Sequence, residues 1–202
     1  MPATPVSSPT ESLASDTSGT TREELHFRRI DMRGFRRSDG LFEIEGRVID
    51  QKPYDYSASS GSRFVPANEP IHNLGVRLIF DEDMLVRAVE TFTVAAPYSE
   101  CPEGGRALQS LIGVSMTRGW SNEVRSRLVG ARSCTHLREL LIPLASAAFQ
   151  SLSVIRASRP EKVDANERPA KIDSCYAYRT HGELVLHRWP KFHRPEAKKN
   201  EG

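Results

Sequence analysis

Long apolar runs are missing from this chain of 202 residues, and no stretch approaches the roughly 20 residues that a membrane-spanning helix needs. The chain also opens without the basic-then-apolar layout of a secretory signal, so a cytoplasmic location is expected. Cysteine is sparse. The three, at positions 101, 134 and 175, are odd in number and widely spaced, which does not make a disulfide framework, and they read as reduced thiols. Net charge is lacking too: 28 Lys and Arg against 26 Asp and Glu leave +2, which gives no general electrostatic case for nucleic acid. Local basic runs, Arg28-Arg29, Arg36-Arg37 and the tail from Lys191 to Lys199, read as solvated surface. There is no Gly-rich phosphate loop, nucleophile elbow or Cys-x-x-Cys pair, which counts against kinase and dehydrogenase chemistry.

What is present is enough for one domain with tails, since an apolar share of 38% over this length can build one modest core. Residues 1–24, rich in Ser, Thr and Pro, cannot bury enough surface to offset ordering entropy and are expected to be a disordered leader. A single domain is expected over 25–193, with a disordered basic tail over 194–202. Phe42, Ile44 and Val48 alternate with Glu43, Glu45 and Arg47, the period of a half-buried strand. The stretch from Lys52-Pro53-Tyr54 to Pro70 reads as a loop. His72 to Phe80 and Leu85 to Val94, around Asp81-Glu82-Asp83, read as a hairpin. The period then lengthens: a short helix is expected from Pro102 to Ile112, a second over Asn122 to Val129 capped by Ser121, and a long one from Leu137 with Pro143 inside it. A charged linker over 156–171 precedes Cys175–Tyr178 and Glu183–His187, which read as a terminal hairpin. The predicted class is α+β, an antiparallel sheet of three or more strands with helices packed on it.

Chemistry concentrates where the long helix begins. Cys134, Thr135 and His136 put a thiol and an imidazole at a helix start, where unpaired N–H groups and the dipole favour thiolate over thiol. A metal or a nucleophile could use that position. Cys175 reads as packed sheet, and His181, His187 and His193 as solvent histidines without a partner at metal-like spacing. Glu43 and Glu45 share one strand face and read as exposed. Tyr54, Tyr56 and Tyr98 lie in loops, where a hydroxyl serves either as an anchor or at a substrate.

The segments Arg37–Gly46 (RSDGLFEIEG), Ile71-His72-Asn73, Pro97-Tyr98 with Cys101, Cys134-Thr135-His136-Leu137 and Trp189-Pro190 together resemble a bacterial family, domain-of-unknown-function family 2889. The order of elements also has a distant likeness to the U-type iron–sulfur scaffold domain. That likeness implies a scaffold-like core in which His72 replaces the first cysteine of the scaffolds, Cys101 matches the second and Cys134 the third. A His-Cys-Cys set, with His136 or water as fourth ligand, suits tetrahedral zinc or iron.

The expectation is therefore a cytoplasmic enzyme that uses zinc or iron on a small-molecule substrate, with metal ligands His72, Cys101, Cys134 and His136. His136 and Tyr98 are its expected catalytic residues. The alternatives are a metal or iron–sulfur carrier and a non-catalytic interaction module. Neither nucleic acid nor membrane is an expected partner. An enzyme requires a concave pocket, expected here between the loops Pro53–Tyr56 and Pro97–Ser99.

Overall fold

A computed structural model describes residues 19–57, 63–158 and 160–196. These fall into two compact units that part after Phe149. Most of the expected leader and part of the expected basic tail lie outside the described residues.

The first unit is an antiparallel meander with helices on one face, the α+β arrangement expected from the sequence. Strands β1 (Phe27–Arg36), β2 (Phe42–Gln51), β3 (Pro70–Phe80) and β4 (Val86–Ala95) lie in the order β1-β2-β3-β4. The alternation in β2 is literal, with every second residue from Phe42 to Asp50 buried. Register carries that inner row across the sheet: Ile44 faces Leu78, Gly46 faces Val76, Val48 faces Leu74 and Asp50 faces His72. Strand β3 is buried along most of its length, as a central strand should be. Strand β1 was not anticipated. Most of its residues are exposed, so it carries no clean alternation of apolar and polar side chains for a period-2 reading to find.

A 3-10 helix (Cys101–Leu111) follows β4, then α1 (Trp120–Arg127), α2 (Thr135–Ser151) and α3 (Ser153–Ala157). Helix α2 buries Leu137, Leu140, Leu141 and Leu144, each contributing about 1.5–3 kcal/mol. It approaches the sheet closely: a Cβ on Gly46 would stand 3.0 Å from Leu144 Cδ2. Trp120 Nε1 donates to the Leu141 carbonyl at 2.8 Å and ties α1 to α2. Helix α1 begins at Trp120 behind Gly119, whose φ of 93° suits a residue without a side chain, so Ser121 is inside the helix and not its cap. The 3-10 helix leans on β4, with Gln109 Nε2 donating to the Val89 carbonyl at 2.7 Å.

The second unit has its own small buried set, including Leu152, Ile172 and Val185. The terminal hairpin expected from Cys175–Tyr178 and Glu183–His187 is not formed. Tyr176–Tyr178 is a 3-10 turn and Glu183–Arg188 is α4. A four-residue apolar run does not separate strand from helix by period, and Glu183 in the first turn with His187 and Arg188 in the last suits the helix dipole. Among the described residues no helix is long and apolar enough to cross a membrane.

Candidate functional site

The alternation that buries Phe42, Ile44 and Val48 on β2 continues to Asp50, placing a carboxylate where a core side chain would stand. Asp50 is 1% exposed, and burial of a charge there demands partners. Its cross-strand neighbours provide them, Arg28 on β1 and His72 on β3. Arg28 grips the carboxylate in the bidentate manner, Nε donating to Oδ1 at 2.7 Å and Nη2 to Oδ2 at 3.0 Å. Arg28 Nη1 also reaches Glu139 of α2 at 3.0 Å. His26, just before β1, brings Nε2 to 3.2 Å from Oδ1.

Two imidazoles converge on the other oxygen. His72 Nδ1 lies 3.1 Å and His136 Nε2 3.8 Å from Asp50 Oδ2. The two rings stand 3.9 Å apart between centroids, tilted by 36°. Asp50, His72 and His136 each offer one ligand atom, and these three atoms lie within 4.8 Å of one another.

His136 is held by the start of α2, and so is Cys134 beside it. The Cys134 carbonyl accepts the Arg138 N–H at 3.0 Å, the first bond of the helix, which makes Cys134 the residue at its cap. Its own N–H donates to the Gly104 carbonyl at 2.9 Å. Cys134 Sγ sits 3.9 Å from His136 Nδ1, so this imidazole spans from the thiol on one nitrogen to the buried carboxylate on the other.

The charges follow from these contacts. Burial pushes the Cys134 thiol up, but hydrogen bonds from His136 and from the N–H groups of Leu137 and His136 outweigh it and leave the thiol below its ordinary range. Its hydrogen bond with Cys134 raises His136 above the usual imidazole value against the opposing effect of burial. Burial opposes ionisation of Asp50 too, yet the Arg28 guanidinium holds it below the usual carboxylate range. His72 goes the other way. Burial and the neighbouring His136 push it down to about 4, a neutral ring at physiological pH.

An open cleft of about 510 Å³ reaches Cys134, lined among others by Tyr98, Glu100, Cys101, Glu103 and Arg132. A second, of about 550 Å³, includes Arg63 and the segment from Pro97 to Ser99 in its wall. Tyr98 borders both. Residues Pro53–Tyr56, expected in the wall, line neither cleft; the Tyr54 and Tyr56 rings stand instead beside the Lys52 ammonium, 5.2 and 5.5 Å from it.

Of the four expected ligands, His72 and His136 stand in the cluster. Cys101 and Cys134 stand outside that group of donors and face the cleft together, Cys101 as the first residue of the 3-10 helix. Cys175 is exposed in the second unit. Sequence reasoning missed Asp50, Arg28 and His26. The signal for Asp50 was available, since the period of two in β2 runs on to it, whereas Arg28 and His26 become partners only through the register of β1.

Comparison with known proteins returns one family. The model of a family described as "Protein of unknown function (DUF2889)" matches residues 26–150. No curated protein and no solved structure matches the chain, so the likeness to the iron–sulfur scaffold fold finds no support among them. The matched segment begins at His26, takes in the four strands, Asp50, His72, Cys134 and His136, and ends one residue beyond the first compact unit; the chain belongs to this family.

Proposed function

We propose that this protein is a metal-dependent enzyme acting on a small organic molecule, with zinc or iron held by Asp50, His72 and His136. The observation that carries this reading is the meeting of one carboxylate oxygen and two imidazole nitrogens, delivered by β2, β3 and α2, within 4.8 Å. Two histidines and one carboxylate are the donor set of non-haem iron sites and of catalytic zinc sites, which keep positions open for water and substrate. The residues fit such an ion. His72 is neutral, the form in which imidazole ligates, and Arg28 orients the carboxylate from behind as an outer-shell partner does. A bound metal ion supplies a Lewis acid that polarises a carbonyl or activates water.

The chain's own groups complete the site. Cys134 holds the second nitrogen of His136 and fixes its ring, and the adjoining cleft has room for a small molecule. Tyr98, at the border of that cleft, offers a phenol for proton transfer. Nitrogen and oxygen donors favour an enzyme over an iron–sulfur carrier, which relies on thiolates.

The test is elemental analysis of protein purified without chelator. About one zinc or iron per chain is expected, and Asp50→Ala and His136→Ala should each lower the content at least about tenfold, the cost of losing a ligand or its supporting shell. Full metal content in the Asp50→Ala, His136→Ala double variant would sink the proposal.

A further inference from the structure

We propose that Cys134 is a nucleophile that accepts an acyl group from an activated ester or thioester, a covalent activity distinct from the metal reading. The geometry is a chain of three groups. Cys134 Sγ meets His136 Nδ1 at 3.9 Å, and His136 Nε2 meets the buried carboxylate of Asp50 at 3.8 Å. Thiol and imidazole in contact are the pair that activates a cysteine, and the carboxylate stands on the far side of the ring at ion-pair distance, its closer imidazole partner being His72 at 3.1 Å. Two further features belong to a reacting thiol and are not needed by a packed one. Cys134 stands at the cap of a 17-residue helix, its carbonyl accepting the first helical N–H, from Arg138, at 3.0 Å. It also faces an open cleft of about 510 Å³, whose wall includes Tyr98 and Arg132.

Close approach of the 3-10 helix fixes the backbone and Cβ of Cys134. A Cβ on Gly104 would come within 2.9 Å of Cys134 Cβ and within 2.9 Å of its backbone nitrogen, so the 3-10 helix is packed directly against the cap residue. Cys134 is therefore held at its backbone and Cβ by Gly104 and at its sulfur by His136, and Gly104 and Cys134 both line the cleft.

In the step itself the Cys134 thiolate, hydrogen-bonded by His136 Nδ1–H, attacks the carbonyl carbon. A carbon–sulfur bond forms, the bond to the leaving group breaks, and the leaving group departs with its electron pair as a thiolate or phenolate. No oxidant and no base are consumed. Water then cleaves the thioester, giving the carboxylic acid and returning the thiol. The attack uses the Nδ1 side of His136; a metal ion would take Nε2, the atom that faces Asp50, so the thiol is tested on protein without metal.

The probe is p-nitrophenyl acetate on the full-length, chelator-treated protein. The expected result is a burst approaching one p-nitrophenolate per chain, with the acetyl group found by peptide mass mapping on Cys134. Cys134→Ser keeps a side chain preferred at a helix cap and should reduce the burst at least about tenfold. His136→Asn should slow acetylation by about 10²-fold or more, and Cys175→Ser should leave it unchanged. Iodoacetamide gives a second measure on the unaltered chain, with Cys134 expected to label at least about tenfold faster than exposed Cys175. A burst that survives Cys134→Ser, an acetyl group spread evenly over the three cysteines, or equal iodoacetamide rates would each overturn the proposal. Because the protein is chelator-treated, such a failure leaves the metal centre standing, and a failure to bind metal leaves the thiol standing.

Discussion

Asp50 shows how one buried charge organises its surroundings. Its two oxygens are shared among Arg28, His26, His72 and His136, and the net effect is a carboxylate that stays ionised in a nearly closed site. His72 carries the opposite consequence. In the metal-free protein its ring resists protonation until about 4, whereas an unfolded chain takes up the proton near 6.5. Between those values the unfolded state binds more protons, so stability rises with pH across the window and is lost as pH falls through it. Denaturant midpoints of chelator-treated protein should therefore drop between pH 6.5 and 4 by an amount equivalent to at most about 3 kcal/mol. His72→Gln, which has no proton to take up, should flatten that part of the profile. An unchanged slope in this variant would show that another group carries the acid sensitivity.

At the scale of elements, two junctions place the reactive groups. Helix α2 lies against β2 through Gly46 and Leu144, which brings the first turn of the helix over the end of β2 where Asp50 stands. The 3-10 helix meets the cap of α2 through Gly104 and Cys134. The second junction can be disturbed without replacing any reactive side chain. Gly104→Ala sets a methyl 2.9 Å from both Cys134 Cβ and the Cys134 nitrogen, neither of which is the free end of a flexible chain. We expect it to cost about 1–3 kcal/mol in urea unfolding, the usual range for overpacking, and to lower the acetylation burst together with stability. Unaltered values of both would mean that the junction yields easily and does not position the thiol.

For the whole molecule, a bound ion is a linkage term. Any metal that binds the folded chain and not the unfolded one stabilises it by RT ln(1 + [L]/Kd), about 2.7 kcal/mol at a concentration of 100 Kd. Chelator-treated protein should accordingly melt at a higher temperature on addition of zinc or iron(II), and chelator should reverse the shift. Asp50→Ala should abolish the response. A melting curve indifferent to both metals would count against the centre independently of elemental analysis.

The sequence by itself determined the α+β class, strand β2, the β3–β4 hairpin and the start of α2 with Cys134 and His136. Each of these is local: a period of two, an acidic turn, or a polar residue ahead of an apolar helix is written within about a dozen residues. Its reading of residues 175–187 as a hairpin failed because so short an apolar run suits either conformation, and the partners that decide are elsewhere in the chain. The functional cluster is of that second kind. His72 and His136 were visible as histidines at element starts, but their common partner Asp50 lies between them and Arg28 only through the register β1-β2-β3, and the sequence separation from Asp50 to His136 is closed by the packing of α2 on the sheet. The two cysteines, which the sequence suggested as ligands, both line the cleft, Cys134 with its sulfur against His136. Tertiary structure alone decided which nitrogen of that imidazole faces sulfur and which faces carboxylate, because ring orientation is set by neighbours from three different elements and by nothing in the local chain.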